Sequence, residues 1–486
     1  MRQFLFLGTS AVALTASLVA AQAGGFATRD QSAVGEGMAF AGEGTPGMGL
    51  SAMFWNPAAV TQVSGGNGWG VEAHVSATFP RADLTTNPAL VTPALQFLDF
   101  CSPAMTSTCD NQGNVLKDRV FPAFYGAYRV TPDWYVGLAV NEPFGFKSTL
   151  NPAGFTAIGP GAGPSASYQQ LATSASISTV DVNPTVGWKI NNTVSVGAGV
   201  QFLWLKNEFS RDLFQFPAIA NFNSPINLSA RDFGVGFTAG ATWTPTPATE
   251  IALGYRSRVK LTLNGSEFFV PNAVLLASPA TAPLNGATVG VTGPLTLPDQ
   301  LNLGARYRVN DSWTVLGTLE WTHWSITRNI PYFATSGPLA GQNAGMDINF
   351  NYRDGWFVAL GTEYNVRPDI TLRAGINHDT SPVQGTLGWI ALPGADSTSA
   401  SLGASYKVTR DLTFDLAYSY TWMRDQTIVV GPGNPDQTKL ITLIPGVFNT
   451  WGGNYASHSQ AVSLSLRYAF APPAPPAPPN LITKAK

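Results

Sequence analysis

Leu412-Thr-Phe-Asp-Leu-Ala-Tyr-Ser-Tyr-Thr-Trp422 has two chemically distinct faces. Leu412, Phe414, Leu416, Tyr418, Tyr420 and Trp422 fall on one, and Thr413, Asp415, Ala417, Ser419 and Thr421 on the other. Side chains of a strand alternate with period two. The stretch therefore has one wholly apolar face with aromatics near its ends, as in a strand crossing a bilayer between two aromatic girdles. Trp313 to Trp321 repeats the pattern, with Val315, Gly317 and Leu319 outward and Thr314, Thr318 and Glu320 inward. Val194 to Trp204 does so again through Val196, Ala198, Val200 and Phe202.

Reading outward from these segments predicts strands near 67–79, 119–130, 134–142, 176–190, 193–207, 232–244, 249–262, 296–309, 312–325, 353–365, 369–378, 398–408, 411–423 and 459–470. Short connections at 131–133, 191–192, 310–311, 367–368 and 409–410 alternate with long ones of roughly 20 to 40 residues. An even strand number with short turns alternating with long loops predicts an all-β chain, a 14-stranded antiparallel transmembrane β-barrel over 67–470. A soluble sandwich has no need of this alternation, and a propeller would show a blade-length repeat, which is not found.

The composition agrees. Of 486 residues, 12% are charged, about half the ~25% of an ordinary soluble domain. Gly (49) and Pro (36) supply about a sixth of the chain, against ~12% on average. Aromatics reach 11% while mean hydropathy is only +0.06, and no apolar run past residue 20 is long enough for a membrane helix. Lys+Arg 27 against Asp+Glu 29 gives a net charge of −2 with no basic run, which excludes a nucleic-acid partner.

Residues 1–23 read as a signal peptide: Arg2, an apolar stretch from Phe4 to Ala20, then Ala21-Gln22-Ala23 as cleavage site. The mature chain is expected to begin near Gly24, in the outer membrane of a Gram-negative bacterium. Residues 24–66 are Gly/Ala-rich without alternation and belong either in the periplasm or in the lumen as a plug. Cys101 and Cys109, with polar residues between them, are expected to form a local disulfide in an exported chain. Residues 471–486 form a tail that opens on a proline-rich spacer.

Gly35-Glu-Gly-Met-Ala-Phe-Ala-Gly-Glu-Gly44 followed by Trp55-Asn-Pro-Ala58 resembles the N-terminal hatch of the long-chain fatty acid transporter family of FadL type. The likeness continues through Tyr255-Arg-Ser-Arg-Val-Lys260, Leu297-Pro298, Trp321-Thr-His-Trp-Ser325, Asp379-Thr-Ser-Pro382 and Tyr468-Ala-Phe470. The resemblance implies a monomeric barrel with residues 24–66, including Asn56, Pro57 and Ala58, as a hatch in its lumen. It implies uptake of hydrophobic molecules, long-chain fatty acids or in some branches aromatic hydrocarbons, by loop capture, interior binding and sideways release at a kinked third strand. No cofactor is expected.

Asn141, Pro143 and Gly145 are the expected site of that kink. Proline cannot donate to the ladder and is confined to edges and bulges; the alternative is that Pro143 only starts a loop. The loops after the fifth and seventh strands carry Leu213, Phe214, Phe216, Ile219 and Phe222, then Phe268, Phe269, Val270, Val274, Leu275 and Leu276. These form either a capture groove or a small core of their own. A buried fatty-acid carboxylate needs a cation. Arg211 matches a basic position of the family's interior site; Arg328 is a looser match; Arg256 and Lys260, placed with Arg258 on one strand face, are further candidates, or else pair with wall acids.

Gly42-Glu-Gly-Thr-Pro-Gly47 fits a dinucleotide fingerprint by letter only, because Pro46 and the surrounding glycines supply neither the strand nor the helix it requires. His74, His323, His378 and His458 sit in no catalytic motif, so an enzyme is not expected, and no metal site is. A general porin would need an open lumen with charge rings, against low charge and a hatch.

Overall fold

The structure, a computed structural model, describes residues 24–63, 68–90, 111–150, 171–212, 224–276, 279–431, 433–436 and 450–470. The two cysteines and residues 1–23, 213–223 and 471–486 lie outside them.

Fourteen antiparallel strands close into one barrel. β1 is Trp69–Thr78 continued as Arg81–Thr86, β2 Asn111–Asn114 and Arg119–Arg129, and β3 Trp134–Asn141 and Gly145–Thr149. β4 (Ser174–Lys189), β5 (Val194–Asp212) and β6 (Pro225–Thr246) are long and unbroken. β7 joins Thr249–Arg256 to Val259–Phe269, and β8 joins Thr288–Leu297 to Gln300–Arg308. β9 (Trp313–Thr322), β10 (Gly355–Arg367), β11 (Ile370–Asp379) and β12 (Ser397–Lys407) follow. β13 (Leu412–Met423, then Gln426–Val430) leads to β14 (Trp451–Phe470), which pairs with β1 from Trp69↔Phe470 to Thr78↔Ala461. That last pairing abolishes the sheet edge, as a bilayer demands.

The alternation in sequence becomes the wall of the barrel. On β13, Phe414, Leu416, Tyr418 and Trp422 are exposed to the outside, while Asp415, Ala417 and Ser419 are buried inward. Aromatic pairs mark both rims. Trp134 and Trp188 stack at 5.7 Å and Trp69 meets Tyr128 at 4.9 Å near the short turns; Trp204–Phe233 and Tyr420–Trp422 lie at 5.0 and 4.8 Å near the other rim. Short turns are locked by side-chain acceptors. Asn191 Oδ1 takes the N–H of Val194 and Asn310 Oδ1 that of Trp313, both at 2.8 Å.

The strands run further outward than the sequence pattern predicts. β5 reaches Asp212, β6 starts at Pro225, and β14 starts at Trp451. The reason is physical: there, inward residues such as Phe209, Leu228 and Tyr455 are apolar too, so the lipid-facing alternation that identifies a spanning strand disappears.

The first described residues fill the lumen. A single helical turn, α1 (Ala33–Glu36), is capped by Ser32 Oγ on Gly35 N at 3.1 Å. Three 3₁₀ turns follow, Pro46–Met48, Leu50–Phe54 and Pro57–Gln62. Their apolar side chains, Met38, Phe40, Phe54, Trp55 and Val60 among them, pack with wall residues such as Tyr125 and Tyr135. A second, larger apolar cluster occupies the outer half of the barrel.

Candidate functional site

The β2–β3 ladder runs from Arg129↔Tyr135 to Phe124↔Val140 and stops. β2 continues against β1 as far as Arg119↔Thr78, so Arg119 to Ala123 keep only one strand neighbour among the described residues. β3 continues against β4 to Asn141↔Asp181 and resumes at Gly145↔Ser178. Three residues of β3 thus oppose two of β4, a bulge. Pro143, which has no N–H, sits at its centre.

The bulged backbone finds its partners inside the barrel. Pro143 O accepts from Thr28 N at 2.9 Å, Gly145 N donates to Phe26 O at 2.7 Å, and Gln31 Nε2 donates to Glu142 O at 2.8 Å. Phe144 N donates to Thr179 Oγ1 at 3.1 Å. Beyond the bulge the wall reconnects: Leu116 bridges to Ser148, and Thr149 N donates to Val115 O at 2.8 Å. The result is a window in the wall, bounded at both ends. Asn141 stands at its lower edge, donating to Tyr125 Oη at 2.8 Å. Behind it lies the outer apolar cluster: Phe144 meets Phe26 at 5.9 Å and Trp324 at 6.1 Å, and Phe26 meets Phe350 at 5.3 Å.

The four basic residues read from sequence separate. Arg256 is buried and points into the lumen, where Nη1 pairs with Asp181 at 2.7 Å and Nη2 donates to Phe54 O at 2.9 Å. Lys260 points the other way and is exposed, which corrects the shared face assigned to Arg256, Arg258 and Lys260. Between Arg256 and Val259 the register against β6 slips by one residue, from Arg256↔Thr238 to Asn264↔Arg231, so Val259 turns inward and the phase of the later residues inverts. Arg258 lies outside with Asp299 at 3.0 Å. Arg328 is also exposed and is not an interior residue; its place after the short turn Trp324–Ile326 breaks the strand register that the sequence match assumed. Arg211 is buried at the outer end of β5. Its Nη2 donates to Gly345 O at 2.7 Å, with Asp212, Glu267, Asp347 and Asp436 in electrostatic reach.

The model of the outer membrane protein transport protein family, OMPP1/FadL/TodX, matches residues 13–470. The chain belongs to that family. It lies in the outer membrane. The long-chain fatty acid transport protein of Escherichia coli K12 is 23% identical over 89% of this chain and 95% of its own length. Outer membrane protein P1 of Haemophilus influenzae Rd is 25% identical over 94% and 98%. A FadL homologue from Pseudomonas aeruginosa has the same fold, with a TM-score of 0.74 at 22% identity over 92% of this chain and all of that one. The Pseudomonas putida toluene transporter TodX matches with a TM-score of 0.60 at 14% identity, over 91% and 99%.

In this OMPP1/FadL/TodX family member the luminal segment is fastened at many points. Asn56 Nδ2 donates to Gly44 O and Ala241 O, both at 3.1 Å, and its Oδ1 accepts from Ala58 N at 3.0 Å; Pro57 opens the turn that follows. The Glu72 carboxylate accepts from Leu50 N at 2.8 Å and Ser51 N at 2.9 Å. Arg29 pairs with Glu43 at 3.2 Å and Glu320 at 2.7 Å, and lies 3.6 Å over the Phe357 ring. Burial pushes the Glu43 carboxyl up, opposed by Arg29. Burial beside Asp30 pushes Glu36 up to about 8.

None of the Arg29, Glu43 and Glu72 contacts is legible from sequence, because each joins residues on separate elements. One missed feature did leave a signal. Inward glycines on successive strands, including Gly197, Gly240, Gly254, Gly304 and Gly375, stand where a Cβ would overlap the luminal segment. Glycines at inward positions of several strands mark a wall that another backbone touches.

Of the residues read as loop, Phe268 and Phe269 instead end β7, which runs further outward than the sequence pattern predicts; Phe269 and Leu275 are buried in the outer apolar cluster, while Phe268 and Leu276 are exposed. Leu213, Phe214, Phe216 and Phe222 lie outside the described residues, as do Cys101 and Cys109.

Proposed function

We propose that this chain, working as a monomer after removal of its signal peptide, takes up hydrophobic compounds across the outer membrane, long-chain fatty acids foremost. The ligand is captured by exposed apolar residues at the outer rim, such as Phe268 at the end of β7 and Leu276 in the loop after it, and enters the outer apolar cluster. It is held against the luminal hatch and leaves sideways at Asn141, Pro143 and Gly145. The observation that carries this reading is the window itself: the wall is interrupted where it backs directly onto buried aromatics. A water-soluble nutrient gains nothing from such an exit, whereas a lipophilic one passes from apolar interior to bilayer without crossing water.

Arg211 favours a fatty acid, since it is a buried cation at the outer end of the barrel, where a carboxylate would otherwise be unpaired. Aromatic hydrocarbons are the second reading, supported by the fold shared with a toluene transporter. Labelled oleate, labelled toluene and a small sugar, offered to cells lacking their own fatty acid transporter, separate these readings. Uptake of oleate above toluene, with no sugar, is expected. Sugar uptake alone would mean an open pore and sink the proposal.

A further inference from the structure

An ion pair spans the window. Arg119 begins the part of β2 that has lost β3, and its Nη2 pairs with Oε1 of Glu142, the residue just before Pro143. The guanidinium is 5% exposed and lies 4.4 Å over the Phe121 ring. Gly145 faces it so closely that any Cβ there would overlap Nη1 and Nη2. Asp30 from the luminal segment acts on the same guanidinium through space. Yet Nη1 is buried with no acceptor among the described residues.

That last fact separates Arg119 from Arg29 and Arg256, the arginines that face the luminal segment nearby. Arg29 is surrounded by Glu43, Glu320 and Asp379. Arg256 is committed to Asp181, Gln201 and Phe54 O. A guanidinium is a planar fork that suits a carboxylate bidentately, and a buried donor left without a partner is costly. An anionic oxygen arriving at Nη1 would satisfy it. A second oxygen of the same group would compete with Glu142 for the other arm.

We propose that Arg119 is a carboxylate-docking residue at the lateral window and that its pair with Glu142 is the latch the ligand opens. The headgroup of a departing fatty acid takes Nη1 first and then displaces Glu142, freeing the bulge from β2. Its chain lies along Phe121 and Phe144 on the way into the bilayer. Uncharged ligands pass without this step. The inference rests on the proposed sideways release, and it adds a headgroup preference at the exit, distinct from any preference at Arg211.

The test compares uptake of oleate with that of oleyl alcohol, an uncharged molecule of equal chain length, by the full-length protein in cells lacking their own transporter. Arg119→Gln is expected to cut oleate uptake about tenfold, the loss of a charge-assisted contact, and to leave oleyl alcohol within about twofold. Glu142→Gln, which removes the competing anion while keeping the wall's shape, is expected to raise oleate uptake. A third variant lacking Pro143 alone removes the one surplus residue of the bulge, lets β3 run on beside β2 and reports on the exit itself. If that variant blocks both lipids while Arg119→Gln affects them equally or not at all, the docking role is overturned and sideways release stands. If it blocks neither, sideways release fails and the docking role with it.

Discussion

The proposed preference for a fatty acid over a hydrocarbon places its interior test on one guanidinium, that of Arg211. Its Nη2 contact with Gly345 O leaves the side chain anchored while Asp212 and Glu267 surround it, so a ligand carboxylate has to compete there. Arg211→Ala is expected to weaken oleate binding about tenfold, the size of one charged hydrogen bond, with toluene binding nearly unchanged; equilibrium binding to the purified protein decides it, and equal loss for both ligands would refute the role. Glu36 makes a different prediction. Its carboxyl, beside Asp30 and within reach of Ser419, titrates near 8 instead of 4.5. The folded protein therefore holds a proton that the unfolded chain has lost, so this group's contribution to stability falls as pH rises from about 4.5 to about 8. Glu36→Gln should flatten that fall, by an amount on the order of a few kcal/mol at pH 8. Thermal unfolding at pH 5 and pH 8 measures it, and an unchanged slope would contradict the assignment.

Single strands differ in how openly their sequence declares them. In β13 alternation alone placed Phe414 and Leu416 outside and Asp415 inside, because lipid and lumen make opposite demands on neighbouring residues. In β7 the same logic held only as far as Arg256. The one-residue slip against β6 at Ser257–Arg258 is a backbone event with no hydrophobic signature, and it turned Lys260 outward. Pro143 was readable because proline removes a donor whatever its surroundings; the partners that replaced β2, Phe26 O and Thr28 N, were not. The 3₁₀ turn Leu50–Phe54 depends on such distant contacts, since Arg256 ties its last carbonyl to Asp181 in the wall. Arg256→Ala strands the wholly buried Asp181 carboxylate and is expected to cost about 3–5 kcal/mol. A lowered unfolding temperature together with increased passage of a large hydrophilic antibiotic would show the turn released; wild-type values for both would show the ion pair to be dispensable.

The whole molecule is a closed wall around a chain segment that belongs to it as closely as any strand. Charge content, aromatic content and loop alternation were sufficient to recognise the barrel, because a bilayer tests every spanning residue in the same way. The seating of the luminal segment depends on shape, on carbonyls of Trp55, Glu43 and Met38 set against wall glycines, and only its glycine count hinted at that. Gly304→Val drives a side chain into Glu43 O and is expected to dislodge the segment. Conductance of the protein in planar bilayers should rise from closed to porin-like, and a closed variant would mean the segment tolerates displacement. The central claim remains that a hydrophobic ligand leaves through the wall at β3. Its most direct test is oleate uptake by the variant lacking Pro143, the one surplus residue of the bulge, with correct folding verified by heat-modifiable gel mobility. Sideways release predicts that uptake falls at least tenfold, to near the level of cells without the protein. Uptake at the wild-type rate through an uninterrupted β3 would contradict it.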